Sequence, residues 1–360
     1  MNIGIVLPYM KAGGTERQAR YIARHLERSG HRVRVMVAEA KGTFWDEVED
    51  IAISLDVPFS KPYTPLLVYR LVQAVRKQDF DLILSRAWNT NMITATTGLL
   101  TGVPYVLFLS GSTDRKGQPR LKLSIEKYFL RNAERIISVS EAAKENCIQA
   151  YGLPPSLIRV IHNGIKVDEI QRSAEQYSAD KSRMQNDKFN IVFVGRVTPR
   201  KGLDVLLRAI ATVDSDVKVW VIGDGKTGRY EKIAKDLGVR EQVSFLGRKE
   251  NPFPELENAD LFVLPSRSEG FPNVLLEAMA LGQAVLASDC STGPDEIIDG
   301  RNGQLFPVED HDTLSQMICN IMGRKKERIV MGKEARLTVK EEFKLDDKLS
   351  EIEYVLKNSF

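Results

Sequence analysis

Hydrophobic residues in this chain fall in short runs, separated by longer stretches in which apolar positions recur every three or four residues. In the first half the runs lie at 3–7, 33–37, 82–84, 105–109, 135–139 and 158–161, with amphipathic stretches such as 16–29 and 66–77 between them. Short apolar runs alternating with helical patterns predict parallel β-α-β units rather than hairpins. Residues 173–189 are polar, charged and poor in apolar side chains, as an interdomain linker is. A second series follows, with runs at 190–195, 217–222, 243–246, 261–264, 284–287 and 304–306. Helical patterns lie at 202–211, 229–237 and 272–281, and the tail from 310 to 359 is helical throughout. The pattern predicts two doubly wound α/β domains, 1–172 and 190–340, joined by the linker 173–189 and followed by a terminal helix at 341–360. In open sheets of this class ligands lie beyond the carboxyl ends of the strands. The loops after strands are therefore where chemistry is sought.

Composition narrows the class. A chain of 360 residues exceeds what one core usually covers, which agrees with two domains. Hydrophobic content of 43% with 28% charged residues fits a globular protein. No apolar run reaches the roughly 18 residues that span a bilayer. The N-terminus enters a strand pattern at once, which predicts no secretory signal and a cytoplasmic location. Cys147, Cys290 and Cys319 are scattered and odd in number, which argues against a disulfide framework and a cysteine zinc site. The net charge of +3 is uneven: residues 1–174 hold 24 Lys and Arg against 17 Asp and Glu, and the remainder 27 against 31. The first half has the character of a surface that meets something anionic.

Four strand-end segments carry candidate chemistry. The richest runs Glu269-Gly270-Phe271-Pro272-Asn273 to Glu277, a Gly/Pro turn feeding a helix with a carboxylate on each side of the helix start. A helix N-terminus attracts phosphate, and carboxylates accept hydrogen bonds from sugar or ribose hydroxyls. Gly195-Arg196-Val197-Thr198-Pro199-Arg200-Lys201-Gly202 follows a strand and precedes a helix. There Arg196 can take two phosphate oxygens and Lys201 adds a point charge. Gly13 and Gly14 follow the first strand, and Thr15 with Gln18 resembles a capping box at the next helix. Gly223-Asp224-Gly225-Lys226-Thr227-Gly228 spells the dinucleotide G-x-G-x-x-G pattern, but it opens the second step of its domain rather than the first.

Together these segments resemble the family 4, group 1 glycosyltransferases, retaining enzymes of the GT-B fold. The E-x7-E pair Glu269/Glu277, the G-R-x-x-x-x-K-G stretch and the G-G-x-E-R stretch at 13–17 carry the resemblance. It implies two Rossmann-like domains facing across a cleft, the second holding a nucleotide diphosphate sugar, with UDP as the expected nucleotide. Arg196 and Lys201 would then neutralise the leaving diphosphate, without a metal or other cofactor. Glu269 would bind the sugar hydroxyls and stabilise charge at the anomeric carbon, and Glu277 would take the ribose. Gly13, Gly14, Gly223, Gly247, Gly270, Phe271, Pro272 and Asn273 would lie along the donor, with Arg248 either stacking on the base or merely exposed. The Asn163-Gly164 turn and the neighbouring His162 are expected to be structural.

The chain departs from the family at one point. Members often carry a His after the strand at 105–109; here Ser110 occupies that place, and no His stands between His31 and His162. Asp114 and the leaving phosphate oxygen are the remaining candidates for taking the acceptor proton. The stretch 115–135 has seven basic residues against two acidic, interleaved with apolar ones. Either an anionic membrane surface or a core with a solvated basic face explains it, and no motif points to nucleic acid. The resemblance implies hexose transfer to a glycan or lipid-linked acceptor in cell-surface polysaccharide or glycolipid synthesis, at the inner face of a membrane. Two alternatives stay open: a nucleotide-sugar epimerase on the same fold and a non-catalytic nucleotide-sugar-binding homologue.

Overall fold

The computed structural model describes residues 1–11, 13–59, 65–109, 118–176, 188–213 and 216–358. These form two units, Met1–Asn163 with Asp346–Phe360, and Gly164–Leu345. Each is a Rossmann-like α/β domain built on one parallel sheet.

The first unit holds β1 (Asn2–Leu7), β2 (Arg32–Val37), β3 (Ala52–Ser54), β4 (Leu82–Ser85), β5 (Tyr105–Leu109), β6 (Arg135–Ser138) and β7 (Ile158–Val160). Their order across the sheet is β3-β2-β1-β4-β5-β6-β7, every pair parallel. The central strands are buried on both faces, so they read as unbroken apolar runs instead of alternating ones. Helix α1 (Gly14–Arg28) follows β1. On one face of the sheet α2 (Pro65–Gln78), α3 (Trp88–Thr101), α4 (Arg120–Arg131) and α5 (Glu141–Tyr151) share a core that includes Leu71, Ile93, Leu130 and Cys147. Of these, α3 buries a polar stripe, Thr90, Asn91, Thr94 and Thr97, whereas its Leu99 and Leu100 are exposed.

The second unit runs α6 (Val167–Glu175), β8 (Phe189–Val194), α7 (Leu203–Ile210), β9 (Val217–Ile222), α8 (Gly228–Asp236), β10 (Val243–Gly247), α9 (Phe253–Asn258), β11 (Leu261–Leu264), α10 (Asn273–Ala280), β12 (Val285–Ser288), β13 (Gln304–Phe306), α11 (His311–Met322) and α12 (Lys325–Glu342). Its sheet order is β10-β9-β8-β11-β12-β13, again all parallel. The division between units falls after Asn163, so α6, expected at the end of the first domain, lies in the second unit. Most of the expected linker, 177–187, falls outside the described residues.

The last helix, α13 (Leu345–Lys357), belongs almost entirely to the first unit. It is held there by Glu353, which accepts from Ser29 Oγ at 2.8 Å and meets His25 Nε2 at 2.8 Å, His31 Nε2 at 3.4 Å and Lys357 Nζ at 2.5 Å. Burial opposes the Glu353 charge, but Lys357, Ser29, His31 and His25 outweigh it and hold the carboxyl down at about 2.

Candidate active site

Each sheet has one place where the strand order reverses, and there the loops after two neighbouring strands leave a crevice. In the second unit it lies between β8 and β11. The loop after β8 passes Arg196 and enters a 3-10 turn at Pro199–Lys201, then Gly202 adopts φ +65° and starts α7. Only glycine fits that position, because a Cβ would lie 1.8 Å from the Pro265 carbonyl oxygen. The turn is thereby pressed against the segment that follows β11, and Lys201 reaches Glu269.

Lys201 Nζ lies 2.5 Å from Glu269 Oε1, and Ser266 Oγ donates to the same oxygen at 2.5 Å. The Arg200 guanidinium stands 3.5 Å from Oε2. Glu269 is 6% exposed and Glu277, on α10, 7%. Burying a carboxylate to this degree is costly unless partners of this kind compensate it. The backbone around it is braced from β12: Thr292 Oγ1 donates to the Glu269 carbonyl and Ser288 Oγ to that of Ser266. Arg267 ties the two loops together, donating to Asp204 Oδ1 and Oδ2 at 2.9 and 2.7 Å. Cys290 lies beneath; burial, with the Glu269 charge, pushes its thiol up to about 11, so it is no nucleophile at neutral pH.

Helix α10 starts at Asn273 with Pro272 at its N-cap and no side-chain cap bond. Its positive dipole end therefore lies beside Glu269 and Gly270. The Phe271 ring turns away into the core, 5.8 Å from that of Phe343, leaving only its main chain for a ligand.

Glycines line the neighbouring strand ends. Gly195 N donates to Ile222 O at 2.9 Å and Gly223 N to Gly247 O at 2.8 Å. A Cβ on Gly223 would sit 1.9 Å from the Gly195 carbonyl oxygen. This platform carries no side chains, so a ligand can approach its backbone closely. Arg196 stands over it with its side chain 75% exposed, 3.9 Å from Asp224. Beside it a cavity of about 460 Å³ is lined by Arg196, Thr198, Asp224, Lys226, Arg229 and Tyr230. Arg248, after β10, is exposed. The structure thus brings Lys201 and Glu269 into contact and places Glu277, Gly223, Gly247 and Arg196 on the same end of one sheet.

In the first unit the reversal lies between β1 and β4. Gly13 is the N-cap of α1, in an extended conformation with no side-chain cap bond. The capping box expected at Thr15 is therefore not made there; the helix begins one residue earlier, at Gly14, and a Cβ on Gly13 would lie 2.4 Å from Glu16 Oε2. Ser110 and Asp114 lie outside the described residues.

Some of this arrangement escaped the sequence reading. Ser266, Arg200, Thr292 and Cys290 are ordinary residues in sequence, and only the fold places them around Glu269. Arg86, directly after β4 and 2% exposed, was legible as an isolated charge ending the apolar run 82–84. Among the described residues no group of three or more His, Cys, Asp or Glu is placed to hold a metal.

The sequence profile of the group 1 glycosyl transferases matches residues 188–324, and that of glycosyltransferase family 4 matches residues 12–169. An uncharacterized glycosyltransferase of Methanocaldococcus jannaschii is 26% identical over 368 aligned positions, covering 96% of this chain and 94% of that protein. A Campylobacter jejuni enzyme named N-acetylgalactosamine-N,N'-diacetylbacillosaminyl-diphospho-undecaprenol 4-alpha-N-acetylgalactosaminyltransferase is 29% identical over 211 residues, 58% of this chain and 56% of that one. Over two further curated relatives the match spans 61% and 56% of their own length. Among solved structures, HepE of Anabaena in complex with UDP-glucose superposes with a TM-score of 0.85 at 22% identity, covering 99% of each chain.

Proposed function

The chain belongs to the group 1, family 4 glycosyltransferases, and from that premise we propose that it transfers a hexose-type sugar, with retention of configuration, from a UDP-sugar to a glycan or lipid-linked acceptor. The observation that carries the reading is the buried Lys201–Glu269 contact at a strand-order reversal, with a helix N-terminus on one side and the exposed Arg196 on the other. HepE binds UDP-glucose, which favours UDP as the nucleotide. The Campylobacter enzyme acts on a lipid diphosphate, which favours an acceptor of that kind.

On this reading the diphosphate lies over the glycine platform, its charge met by Arg196, Lys201 and the α10 dipole. Glu277 accepts from the ribose hydroxyls and Glu269 from those of the sugar. As the bond from the anomeric carbon to the phosphate oxygen breaks, its electron pair stays with UDP. The acceptor hydroxyl oxygen bonds to the same carbon and its proton passes to the departing phosphate oxygen. Glu269 offsets positive charge at the anomeric carbon, and Lys201 shifts its interaction toward the phosphate as that charge grows. The reading assigns no step to a metal, so activity should survive chelation.

A surface of the first unit favours work at a membrane. Its exposed large apolar residues are Leu66 and Tyr69 on α2, Leu99 and Leu100 on α3, and Leu121, Ile125 and Tyr128 on α4, together with Tyr354 on α13. Helices α2 and α4 carry Arg70, Arg76, Lys77, Arg120, Lys122, Lys127 and Arg131. Their single acidic residue, Glu126, is 2% exposed and accepts from Tyr151 Oη at 2.5 Å. On α2 and α4 the exposed charge is cationic and stands beside exposed apolar residues, which suits an anionic bilayer face. No helix among the described residues is long and apolar enough to cross a membrane. Salt-sensitive sedimentation with anionic but not zwitterionic vesicles is the expected result.

The test of the main reading is a panel of UDP-, GDP- and ADP-sugars, scored by binding, by release of nucleotide and by the fate of the sugar. One UDP-sugar should bind selectively and be slowly hydrolysed. Conversion to an epimer without acceptor would replace transfer by the epimerase alternative. Binding without any turnover would leave the non-catalytic one.

A further inference from the structure

The first unit contains a buried cation that no acidic side chain among the described residues neutralises. Arg86 follows β4 at the strand-order reversal and is 2% exposed. Its Nη2 donates to Asn163 Oδ1 at 2.6 Å, whereas neither Nε nor Nη1 has a hydrogen-bond partner among the described residues. The guanidinium lies on the Phe108 ring, 4.5 Å from its centroid, and the Phe108 carbonyl is fixed by Asn91 Nδ2 at 3.0 Å. Burial alone lowers the Arg86 value, to about 10, so the group remains a cation at neutral pH.

Its surroundings make this unfavourable twice over. Helix α3 starts at Trp88, two residues on, with Ala87 at its N-cap and no side-chain cap bond. A cation next to the positive end of a helix is repelled by it, and a buried charge without a counter-ion carries a desolvation cost of several kcal/mol. A buried water would satisfy the N–H groups but not the charge. An anion would answer both, since the helix start and the guanidinium attract it together.

We propose that Arg86 anchors an oxyanion-binding site at the C-terminal end of the first sheet, and that the oxyanion is a phosphate or carboxylate borne by the acceptor. The site stands on the geometry of Arg86, Asn163, Phe108 and the α3 start. Only the identification of its bearer as the acceptor rests on the transferase reading. Asn163 and Phe108 hold the fork in place, and the unused Nε and Nη1 donors face the anion.

The experiment titrates inorganic phosphate, and acetate in parallel, into the full chain saturated with UDP, following thermal stability and the ³¹P signal of phosphate. UDP occupies the diphosphate position of the second unit, so a remaining phosphate response reports another site. The wild type should respond saturably, and Arg86→Met should weaken phosphate by about tenfold or more while binding UDP unchanged. Should Arg86→Met fail to fold, Arg86→Lys carries the test: it keeps the charge, loses the fork and should bind phosphate more weakly than wild type. No response in the wild type, or an undiminished one in the folded variant, overturns the proposal. A protein that fails to bind UDP contradicts the transferase reading alone, and the same Arg86-dependent titration then proceeds without UDP. In a transfer assay phosphate should raise the acceptor KM and leave kcat unchanged; a change in kcat alone would make the site one for free phosphate and overturn its assignment to the acceptor.

Discussion

Each strand-order reversal has a cation in a loop at its strand ends, Arg86 just after β4 and Lys201 in the loop after β8, but with different electrostatics. In the second unit Lys201 meets a carboxylate, Glu269, 2.5 Å away. In the first unit Arg86 meets the neutral amide of Asn163, at 2.6 Å, and the Phe108 ring, with no carboxylate among the described residues against it. In the first arrangement the cations have a carboxylate partner without a ligand, and it works by letting Lys201 share its charge with an incoming phosphate. The second stays unbalanced until an anion arrives. One fold, used twice, therefore provides one preorganised site and one that ligand binding completes.

The largest effect should come from breaking the neutral pair. Glu269→Gln leaves Lys201 buried and unpaired, making the second unit resemble the first. Transfer should fall by about 10²-fold or more while UDP binding persists, and denaturant unfolding should show a loss of about 3 kcal/mol. The combined Lys201→Met, Glu269→Leu chain should be less destabilised than either single variant, because it strands no charge. Unchanged transfer in Glu269→Gln would remove that residue from the mechanism.

Next in size is a pair that neither reversal contains. Glu353 is half-buried and held by Lys357, Ser29, His31 and His25, with its folded-state value at about 2 against an ordinary 4.5. A depressed carboxylate contributes stability above its unfolded value and loses it as the pH falls toward the folded one. The contribution should thus be complete above about pH 4.5 and fade toward pH 2, and Glu353→Gln should cost about 1 to 2 kcal/mol at neutral pH after solvent screening. An acid-unfolding profile identical in wild type and variant would contradict it.

Arg196 should separate binding from folding. Its exposed side chain makes Arg196→Gln neutral for stability within about 0.5 kcal/mol, while UDP-sugar affinity drops by about tenfold. The smallest effect belongs to Arg86→Met without ligand. Removing an unpaired buried charge should change unfolding free energy by less than about 1 kcal/mol, or raise it. A loss as large as that of Lys201→Met would show that Arg86 is a structural residue and erase the contrast.

The parallel sheets were legible because strands buried on both faces stay apolar throughout, as 105–109 and 261–264 do. Segments without that signature were not. Ala52–Ser54 is a three-residue, half-buried edge strand, too short to show a period. Helix α3 buries threonine and asparagine and exposes Leu99 and Leu100, so the usual apolar-inside pattern is absent from its sequence. At the candidate site Glu269, Glu277, Arg196 and Lys201 stood out through spacing and charge. Ser266, Thr292 and Arg200 did not, because they act through contacts between loops that only the fold brings together. Arg86 was not singled out in the sequence, because its burial comes from the fold.

Amide hydrogen exchange with and without UDP tests the central claim most directly. The account predicts protection in the second unit confined to 195–202, 223–225, 247–248 and 269–277, the strand-end loops around Lys201 and Glu269. Absence of protection with any nucleotide sugar, or protection at the opposite end of that sheet, would contradict it.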